Sequence, residues 1–203
     1  MLILLRHGQT TSNVGRHLDT ALPGAELTDL GRAQARDAGA EIMERFSPAR
    51  VVTSQALRAR QTGEIAFGEH FESIPALDGL HEVQAGRWEM MNTREAHEAY
   101  HGAFRGFYRR KLDSLIDGGD SLDVFLTRYR TAVEPLITPV SREGDTVVVS
   151  HGGAIRAFAA NATDVDPDFA EQAYLPNCHY VVIDPQGEFG SWRVEQWGTY
   201  PLS

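Results

Sequence analysis

Cysteine and lysine are almost absent from this sequence of 203 residues. Cys178 is the only cysteine, so the chain can form neither an internal disulfide nor a thiolate metal cluster of its own. We expect it to be a small, buried apolar residue. Lys111 is the only lysine, and it lies in neither a glycine-rich phosphate loop nor a Schiff-base context. The sequence therefore gives no support to P-loop or Schiff-base chemistry.

Long hydrophobic runs are also missing. The apolar stretch at residues 1–5 is too short for a signal peptide or a membrane span, and Arg6 follows it directly, so we expect a cytoplasmic protein. A net charge of -9 argues against nucleic acid or an anionic membrane as the main partner. A small anion needs only a local positive pocket and is still allowed. Nothing in the sequence indicates a homo-oligomer.

Hydrophobic patterning indicates a single α/β domain over residues 1–203. Alternating strands and helices predict a three-layer sandwich, in which a mostly parallel central sheet has helices on both faces. Thr28 and Ser121 are predicted helix N-caps. The predicted strands are 2–5, 50–53 and 146–149, with a hairpin at 180–184 and 192–196. The predicted helices are 28–46, 56–66, 122–137 and 154–161, together with one long or two broken helices at 93–115, interrupted by Gly102 and Gly106.

Two of the predicted strands end alike. The first runs into His7 and Gly8, and the strand at 146–149 runs into His151 and Gly152. In an open α/β sheet the ligand crevice lies outside the carboxyl ends of the strands, so neighbouring strands would bring both histidines to one place. Glycine lets the backbone approach a ligand closely, and helix amides following the strand favour an anion.

The residues near these histidines are suited to phosphoryl transfer. Arg6 and Arg58 can grip phosphate oxygens, and Asn13 can donate its amide to the same group. The guanidinium charges should keep the His7 imidazole neutral, with its attacking lone pair free. The leaving alkoxide needs a proton, for which Glu82 is the candidate acid.

Five sequence blocks, in order along the chain, resemble the motifs of the histidine phosphatase superfamily, whose best-known branch is the cofactor-dependent phosphoglycerate mutases. The resemblance implies His7 as the phosphorylated nucleophile and Glu82 as the acid and base. It implies Arg6, Arg58, His151 and Asn13 as phosphate ligands, and no metal. We expect Gly8 and Gly152 to lie beside them and the enzyme to need no other cofactor. The blocks are Leu5-Arg6-His7-Gly8-Gln9-Thr10-Thr11-Ser12-Asn13, residues 27–35, residues 54–62, residues 82–89 and Val149-Ser150-His151-Gly152-Gly153.

Three residues depart from the family pattern, and they bear on the substrate. Leu57 stands one place later than the usual leucine before the arginine, Met90 replaces the glycine that follows the Trp-Glu pair, and Asp120 stands where the family favours glutamate. We expect Met90 to belong to a helical insert, at about residues 78–120, that forms a lid over the leaving group.

The resemblance leaves two activities to compare. Residues 83–85, after Glu82, lack the Arg and Tyr with which the mutases hold their substrate, although residues 109–111 offer a basic segment. This pattern favours a phosphatase that acts on a small phosphorylated metabolite, with a mutase-type phosphoryl transferase as the alternative. The sequence does not reveal which metabolite. Five residues of the insert suggest an apolar mouth but are expected mainly to pack in its core: Met90, Met91, Phe104, Phe107 and Tyr108.

A third hypothesis rests on His97, Glu98 and His101, which match the H-E-x-x-H pattern of zinc hydrolases. The extended zinc pattern would want Gly and His where Phe104 and Phe107 stand, and Gly102 weakens the helix after the second histidine. We therefore expect this segment to be a lid helix whose histidines face solvent or the mouth of the pocket. A downstream carboxylate ligand is not excluded by the sequence alone.

Overall fold

A computed structural model, which describes residues 1–137 and 144–202, contains one six-stranded sheet in the order β3-β2-β4-β1-β5-β6. Strands β1, β2, β3 and β4 pair in parallel, while β5 runs antiparallel to β1 and β6 antiparallel to β5. The predicted mostly parallel sheet and the terminal hairpin are thus confirmed. The strands are β1 (Leu2–Arg6), β2 (Pro48–Ser54), β3 (Ala76–Leu77), β4 (Asp145–Ser150), β5 (Tyr180–Asp184) and β6 (Arg193–Trp197).

Helices cover both faces of this sheet. Leu2 and Leu4 of β1 point into one hydrophobic core, and Ile3 and Leu5 point into the other. All four side chains are fully buried, which is the expected pattern for a central parallel strand covered on both sides. The α-helices of the described part are α1 (Thr11–Val14), α2 (Asp29–Arg45), α3 (Leu57–Phe67), α4 (Arg94–Tyr108), α5 (Leu122–Val133), α6 (Gly152–Ala162) and α7 (Pro167–Gln172).

The two faces are built from different helices. Ala38 and Ile42 of α2 pack with Phe67 of α3 against one face. Phe104 of α4 and Phe158 of α6 belong to the larger core on the opposite face, which also includes residues of α5 and α7. The three-layer α/β class predicted from the sequence is therefore confirmed. No helix of the described ranges is long and apolar enough to cross a membrane.

The segment at 93–115, predicted as one long or two broken helices, is a single helix that ends at Tyr108, and Gly102 and Gly106 do not interrupt it. A Cβ on Gly102 would have no heavy atom within 4 Å, so the missing side chain costs the helix no packing contact. A Cβ on Gly106 would meet Ser114 Oγ at 1.8 Å. Gly106 therefore lets the following turn fold back onto α4. The helix itself is held by a buried aromatic face comprising Tyr100, Phe104, Phe107 and Tyr108.

Other helix ends follow the sequence closely. The side chains of Thr28 and Ser121 accept hydrogen bonds from Gly31 N and Val124 N, which confirms both predicted N-caps. The helix predicted at 122–137 ends earlier, at Val133, and passes into a 3₁₀ turn at Glu134–Leu136. Helices α1 and α7 and strand β3 have only two to six residues and were not predicted.

Candidate active site

The ends of β1 and β4 lie side by side. Arg6 and Ser150 are paired in the parallel register, and His7 N donates to Ser150 O at 3.0 Å. The two strands therefore deliver His7 and His151 to the same edge of the sheet, where their ring centroids are 5.2 Å apart. This is the carboxyl edge, at which open α/β sheets bind ligands.

His7 is buried and oriented by its own backbone. Its Nδ1 lies 2.7 Å from the carbonyl oxygen of Gly8, an acceptor only, so Nδ1 carries the proton and donates it. Nε2 is then the nitrogen with the free lone pair. Burial, followed by the charges of Arg58 and Arg6, lowers the pKa of His7 well below its usual value. The ring is consequently neutral at physiological pH.

The guanidinium of Arg6 is anchored along one side. Its Nη1 donates to Tyr174 Oη at 2.8 Å and to Leu175 O at 2.6 Å. The buried Nε has no hydrogen-bond partner within the described residues. An anion that enters beside His7 would therefore meet N–H groups of Arg6 that the protein does not use.

Arg58 lies at the start of α3 and is nearly fully buried. Its Nε donates to His151 Nδ1 at 3.2 Å and its Nη2 donates to Asp19 O at 3.0 Å. Nη1 lies 3.7 Å from Asp19 Oδ1 and has no hydrogen-bond partner in the part of the chain described. Burial lowers the pKa of Arg58, and Asp19 opposes that effect. Arg58 thus brings a second cation into the same small space.

His151 differs from His7 because both of its ring nitrogens have side-chain partners. Nδ1 accepts from Arg58, so Nε2 carries the proton and donates to Ser54 Oγ at 2.9 Å. Burial and the charge of Arg58 lower the pKa of His151 well below its usual value. To bind a phosphate, this ring has to exchange one of these partners for a phosphate oxygen.

The Glu82 carboxylate lies at the N-terminus of α6, directly after His151. Its oxygens accept hydrogen bonds from Gly153 N at 2.9 Å, Ala154 N at 2.7 Å and its neighbour Val83 N at 2.8 Å. The positive end of the helix dipole adds to these contacts. The carboxylate is therefore fixed at the edge of the pocket that contains His7, and the same three amides would have to release it if the side chain moved.

Arg128 of α5 fixes the loop that carries Glu82. It donates to the carbonyl oxygens of Gly79 and His81 at 2.7 and 2.9 Å and to that of Glu82 at 2.9 Å. It also binds Asp120 Oδ2 at 2.7 Å, and Asp120 in turn accepts from Gln84 N at 3.1 Å. Asp120, one of the three departures from the family pattern, thus holds the loop through Arg128.

The remaining predicted ligands differ in availability. Asn13 uses its side-chain oxygen to accept from Thr10 N and from Asn177, so its amide N–H groups are the ones left for a ligand. Gly152 N is not taken by Glu82, which binds the next two amides. A Cβ on Gly152 would meet Arg6 Nε at 3.0 Å, so this glycine permits the close approach of Arg6.

Packing against the protein, and not closeness to a ligand, explains the glycine at position 8. Its N–H donates to Thr62 Oγ1 at 3.0 Å, and a Cβ would lie 2.4 Å from the carbonyl oxygen of Gly31 in α2. The space around Gly8 is thus filled by the protein. Its predicted contact with phosphate stays a prediction.

Two connected cavities surround these groups. The inner pocket, of about 90 Å³, is lined by His7, Arg58, Asn13 and Glu82 among others. Arg6, Asn13 and Glu82 also line a larger cleft of about 420 Å³, so the inner pocket opens into that cleft. Tyr100, Phe104 and Tyr108 of α4 line the cleft, whereas Phe107 is buried in the core and Met90 is exposed elsewhere. Of the five residues that suggested an apolar mouth in the sequence, only Phe104 and Tyr108 therefore line the cleft.

The H-E-x-x-H residues line or flank the outer cleft. His97 and His101 stack with ring centroids 5.7 Å apart, and the His97 Nε2 binds Arg16 O at 2.8 Å. Glu98 is exposed and binds Arg94. Across residues 1–137 and 144–202, no group of three or more His, Cys, Asp or Glu side chains is placed to hold a metal ion.

Several contributors to the site have no local signal in the sequence. Asp19 and Tyr174 lie in loops, and each reaches an arginine distant in the chain. Ser54 could have been found from the strand order, since it ends the strand next to β4. Glu89, which lies in the same sequence block as Glu82, binds Thr20 and Ala21 N and lines neither cavity.

The fold and this geometry define a class: an α/β protein with a buried, neutral histidine between two arginines in an anion pocket. A model of the histidine phosphatase superfamily (branch 1) matches residues 2–199. The chain belongs to this superfamily. The family predicted from the sequence is thereby confirmed, and so is the prediction of a phosphatase enzyme.

Relatives within the family include both phosphatases and mutases. The chain is 34% identical over 216 residues to the glucosyl-3-phosphoglycerate phosphatase of Mycolicibacterium vanbaalenii, covering 98% of this chain and 94% of that protein. It is 30% identical over 173 residues to a 2,3-bisphosphoglycerate-dependent phosphoglycerate mutase of Nitrobacter winogradskyi, covering 83% of each. A mycobacterial glucosyl-3-phosphoglycerate phosphatase solved in complex with VO3 has a TM-score of 0.78 at 27% identity, with 98% of both chains covered.

Proposed function

We propose that this enzyme hydrolyses a phosphomonoester in two steps through a phosphohistidine at His7. The observation that carries the proposal is the free Nε2 of a neutral, buried His7 between Arg6 and Arg58 in the inner pocket. In the first step the Nε2–P bond forms as the P–O ester bond breaks. In the second, water attacks phosphorus, and the Nε2–P bond breaks to release inorganic phosphate.

The surrounding residues receive roles that match their contacts. Arg6, Arg58 and the Asn13 amide hold the phosphate oxygens, together with Gly152 N at the start of α6. His151 supports Arg58 and reaches the phosphate by exchanging a partner. Glu82 gives a proton to the leaving alkoxide and later takes one from the attacking water, so that the two steps balance. No metal has a role in this scheme.

The residues that follow Glu82 support a phosphatase over a mutase. Val83 and Ala85 are fully buried. Gln84 Nε2 donates to the carbonyl oxygens of Thr20 and Glu82, at 2.8 and 3.0 Å. None of these three residues thus offers a charged group that would retain the product for return of the phosphoryl group. Water is then the acceptor that the pocket leaves available.

The substrate is proposed to be a small phosphorylated metabolite rather than a macromolecule. The cleft, of about 420 Å³, has room for a leaving group much larger than phosphate, and α4 lines one side of it. This arrangement supports the proposed lid role of residues 78–120. Glucosyl-3-phosphoglycerate, named for the relatives, is the first compound to test. The lack of a long apolar run supports a cytoplasmic location, and the net charge of -9 supports a partner other than nucleic acid.

A trapping experiment tests the covalent step. Brief incubation with a ³²P-labelled phosphomonoester, followed by denaturation without acid, should give a labelled protein whose label is stable in base and lost in acid. His7→Asn should abolish the label, and a chelator should leave the wild-type label unchanged. Undiminished label in His7→Asn would remove His7 from the nucleophile role. Loss of activity on chelation, with recovery on adding zinc, would favour the zinc hypothesis instead.

A further inference from the structure

Arg156 occupies a defined place relative to the phosphate pocket. It lies on α6 four residues after Gly152, and both residues line the cleft. Residues four apart share one face of a helix, with Cβ atoms about 6 Å apart. Between them, Ala154 and Ile155 are fully buried in the core. Arg156 therefore provides the first long side chain that a leaving group meets along α6.

The guanidinium of Arg156 is anchored by neutral groups and forms no ion pair within residues 1–137 and 144–202. Its Nη2 donates to the carbonyl oxygens of Ala170 and Glu171, at 2.8 and 2.9 Å. The group lies over the Tyr108 ring, 5.1 Å from its centroid, and the buried Nε has no partner within the described residues. The Glu171 carboxylate is directed to Arg105 and Arg109 and not to Arg156.

The charges of the cleft show the same imbalance. Arg6, Arg16 and Arg156 line it, whereas Glu82 is the one carboxylate among the lining residues in the described part of the chain. Glu82 already accepts hydrogen bonds from three backbone N–H groups. In a chain with a net charge of -9, this cleft is a locally positive region. One phosphate at the inner end engages Arg6 and leaves the outer cations unpaired.

We infer that Arg156 forms a second anion subsite, which binds a carboxylate on the leaving group of the substrate. Its place one helical turn beyond Gly152 suits a carboxylate separated from the phosphate ester by a few bonds. The carboxylate would meet Nη1, which makes no hydrogen bond to the described residues, on an arginine whose Nη2 already holds it in place. A preorganised guanidinium is the arrangement that makes such contacts strong. The inference rests on the proposed phosphatase function and deepens it.

The test compares two substrates that differ only in this group: 3-phosphoglycerate and glycerol 3-phosphate. The wild-type enzyme should show a kcat/KM at least tenfold higher for the carboxylate. Arg156→Gln should reduce that ratio to near one, and Arg156→Lys should retain most of it. Both variants replace the guanidinium that binds the carbonyl oxygens of Ala170 and Glu171, and both retain a donor, so the main difference between them is the charge.

Arg109→Gln is the matched control, because Arg109 also holds α7, through Asp168 and Glu171, but lies outside the cleft. It should leave the ratio as in the wild type. A wild-type ratio near one, or an equal ratio in Arg156→Lys and Arg156→Gln, would overturn the subsite. Release of nitrophenol from p-nitrophenyl phosphate is measured in parallel. If the wild type lacks that activity as well, the proposed function itself fails.

Discussion

The ends of β1 and β4 share the same His-Gly motif in the sequence but have different surroundings in the structure. Each strand leads into a buried histidine followed by glycine. His7 has one ring nitrogen bound to the neighbouring Gly8 carbonyl and the other nitrogen free. His151 has both nitrogens engaged, by Arg58 and by Ser54. The same local motif thus yields an open nitrogen at one strand end and a closed hydrogen-bond network at the other.

This contrast shows where chemical roles come from in such a site. The strand end places the imidazole at the ligand edge, but long-range partners decide whether a nitrogen is left to react. Arg58 and Ser54 lie 93 and 97 residues from His151 in the chain. Glu82 then closes the β4 end further by binding Gly153 N and Ala154 N. The β1 end is therefore suited to attack, and the β4 end to holding charge in place.

The largest expected effect separates the two histidines. His7→Asn removes the free nitrogen and should lower kcat by about 10⁵-fold or more, the scale of losing a nucleophile. His151→Asn should lower it by about 10² to 10³-fold, the scale of losing one preorganised donor. Single-turnover hydrolysis of p-nitrophenyl phosphate measures both. Only His151→Asn should still acquire ³²P label. Equal losses in the two variants would mean that the two strand ends act alike.

Glu82 tests the proton-transfer role at the β4 end. An alkoxide leaves poorly without a proton, whereas nitrophenolate leaves readily as the anion. Glu82→Gln should therefore slow phosphohistidine formation by about 10² to 10⁴-fold for an alkyl phosphate and far less for p-nitrophenyl phosphate. The comparison is made on the pre-steady-state burst, since a shared slow second step hides it in steady state.

Glu89→Gln is the matched control for Glu82, because that carboxylate binds Thr20 and Ala21 and lines neither cavity. It should change the bursts of both substrates by the same factor. If Glu82→Gln also affected the two bursts equally, Glu82 would act by fixing the start of α6, and proton transfer would have to be assigned to another group.

The two glycines extend the comparison from activity to stability. A Cβ at Gly8 meets the backbone oxygen of Gly31 at 2.4 Å, and backbone cannot move away cheaply. Gly8→Ala should therefore lower the free energy of unfolding by about 1–3 kcal/mol. The three atoms nearest to a Cβ at Gly152 all belong to the flexible Arg6 side chain, the closest at 3.0 Å. Gly152→Ala should stay within about 0.5 kcal/mol of the wild type but lower kcat/KM, because Arg6 is displaced.

Urea unfolding and steady-state kinetics on both variants measure these effects. The comparison fails if Gly152→Ala is the less stable of the two, or if it retains full activity, since its role would then not be to admit Arg6.

The long elements of this fold could be predicted because their own patterns determine them. The strand at residues 2–5 is a continuous apolar run, the strand at 146–149 is a continuous β-branched run, and α2 has its N-cap in the sequence. Strand β3 has no such signal: its two residues form a strand only by pairing with Thr53 and Ser54. The interruption predicted at Gly102 and Gly106 is wrong, because tertiary packing of the aromatic face of α4 overrides helix propensity.

For the site, sequence motifs located the strand-end residues but not their partners. Tyr174 reaches Arg6 across 168 residues, and no local pattern predicts such a contact. Met90 is an informative departure from the family pattern. Met90 has a φ of 58°, in the left-handed region that glycine adopts without penalty and methionine does not. The backbone is therefore strained at this position, and the Met90 side chain is half exposed. The roles of Arg58 and Asp120 likewise depend on contacts that only the structure shows.

The smallest expected effect is on the pH dependence of stability, in which His7 and His151 should behave alike. His7 and His151 bind different partners, but both are buried and burial is the main cause that lowers each pKa well below about 6.5, the ordinary value expected in the unfolded chain. Below pH 6.5 the unfolded state therefore binds more protons than the folded state. The stability from these groups is fully present above that pH and is lost as the pH falls toward the folded-state pKa values.

The slope is up to about 1.4 kcal/mol per pH unit for each histidine. Unfolding by urea should thus show a fall in stability from pH 7.5 to pH 5.5 that is smaller, by about 1.4 kcal/mol in total, in both His7→Asn and His151→Asn. His70→Asn, at an exposed position, controls for the loss of a histidine as such. A slope that changes in only one of the two buried variants would mean that partners, and not burial, set the proton affinity at these strand ends.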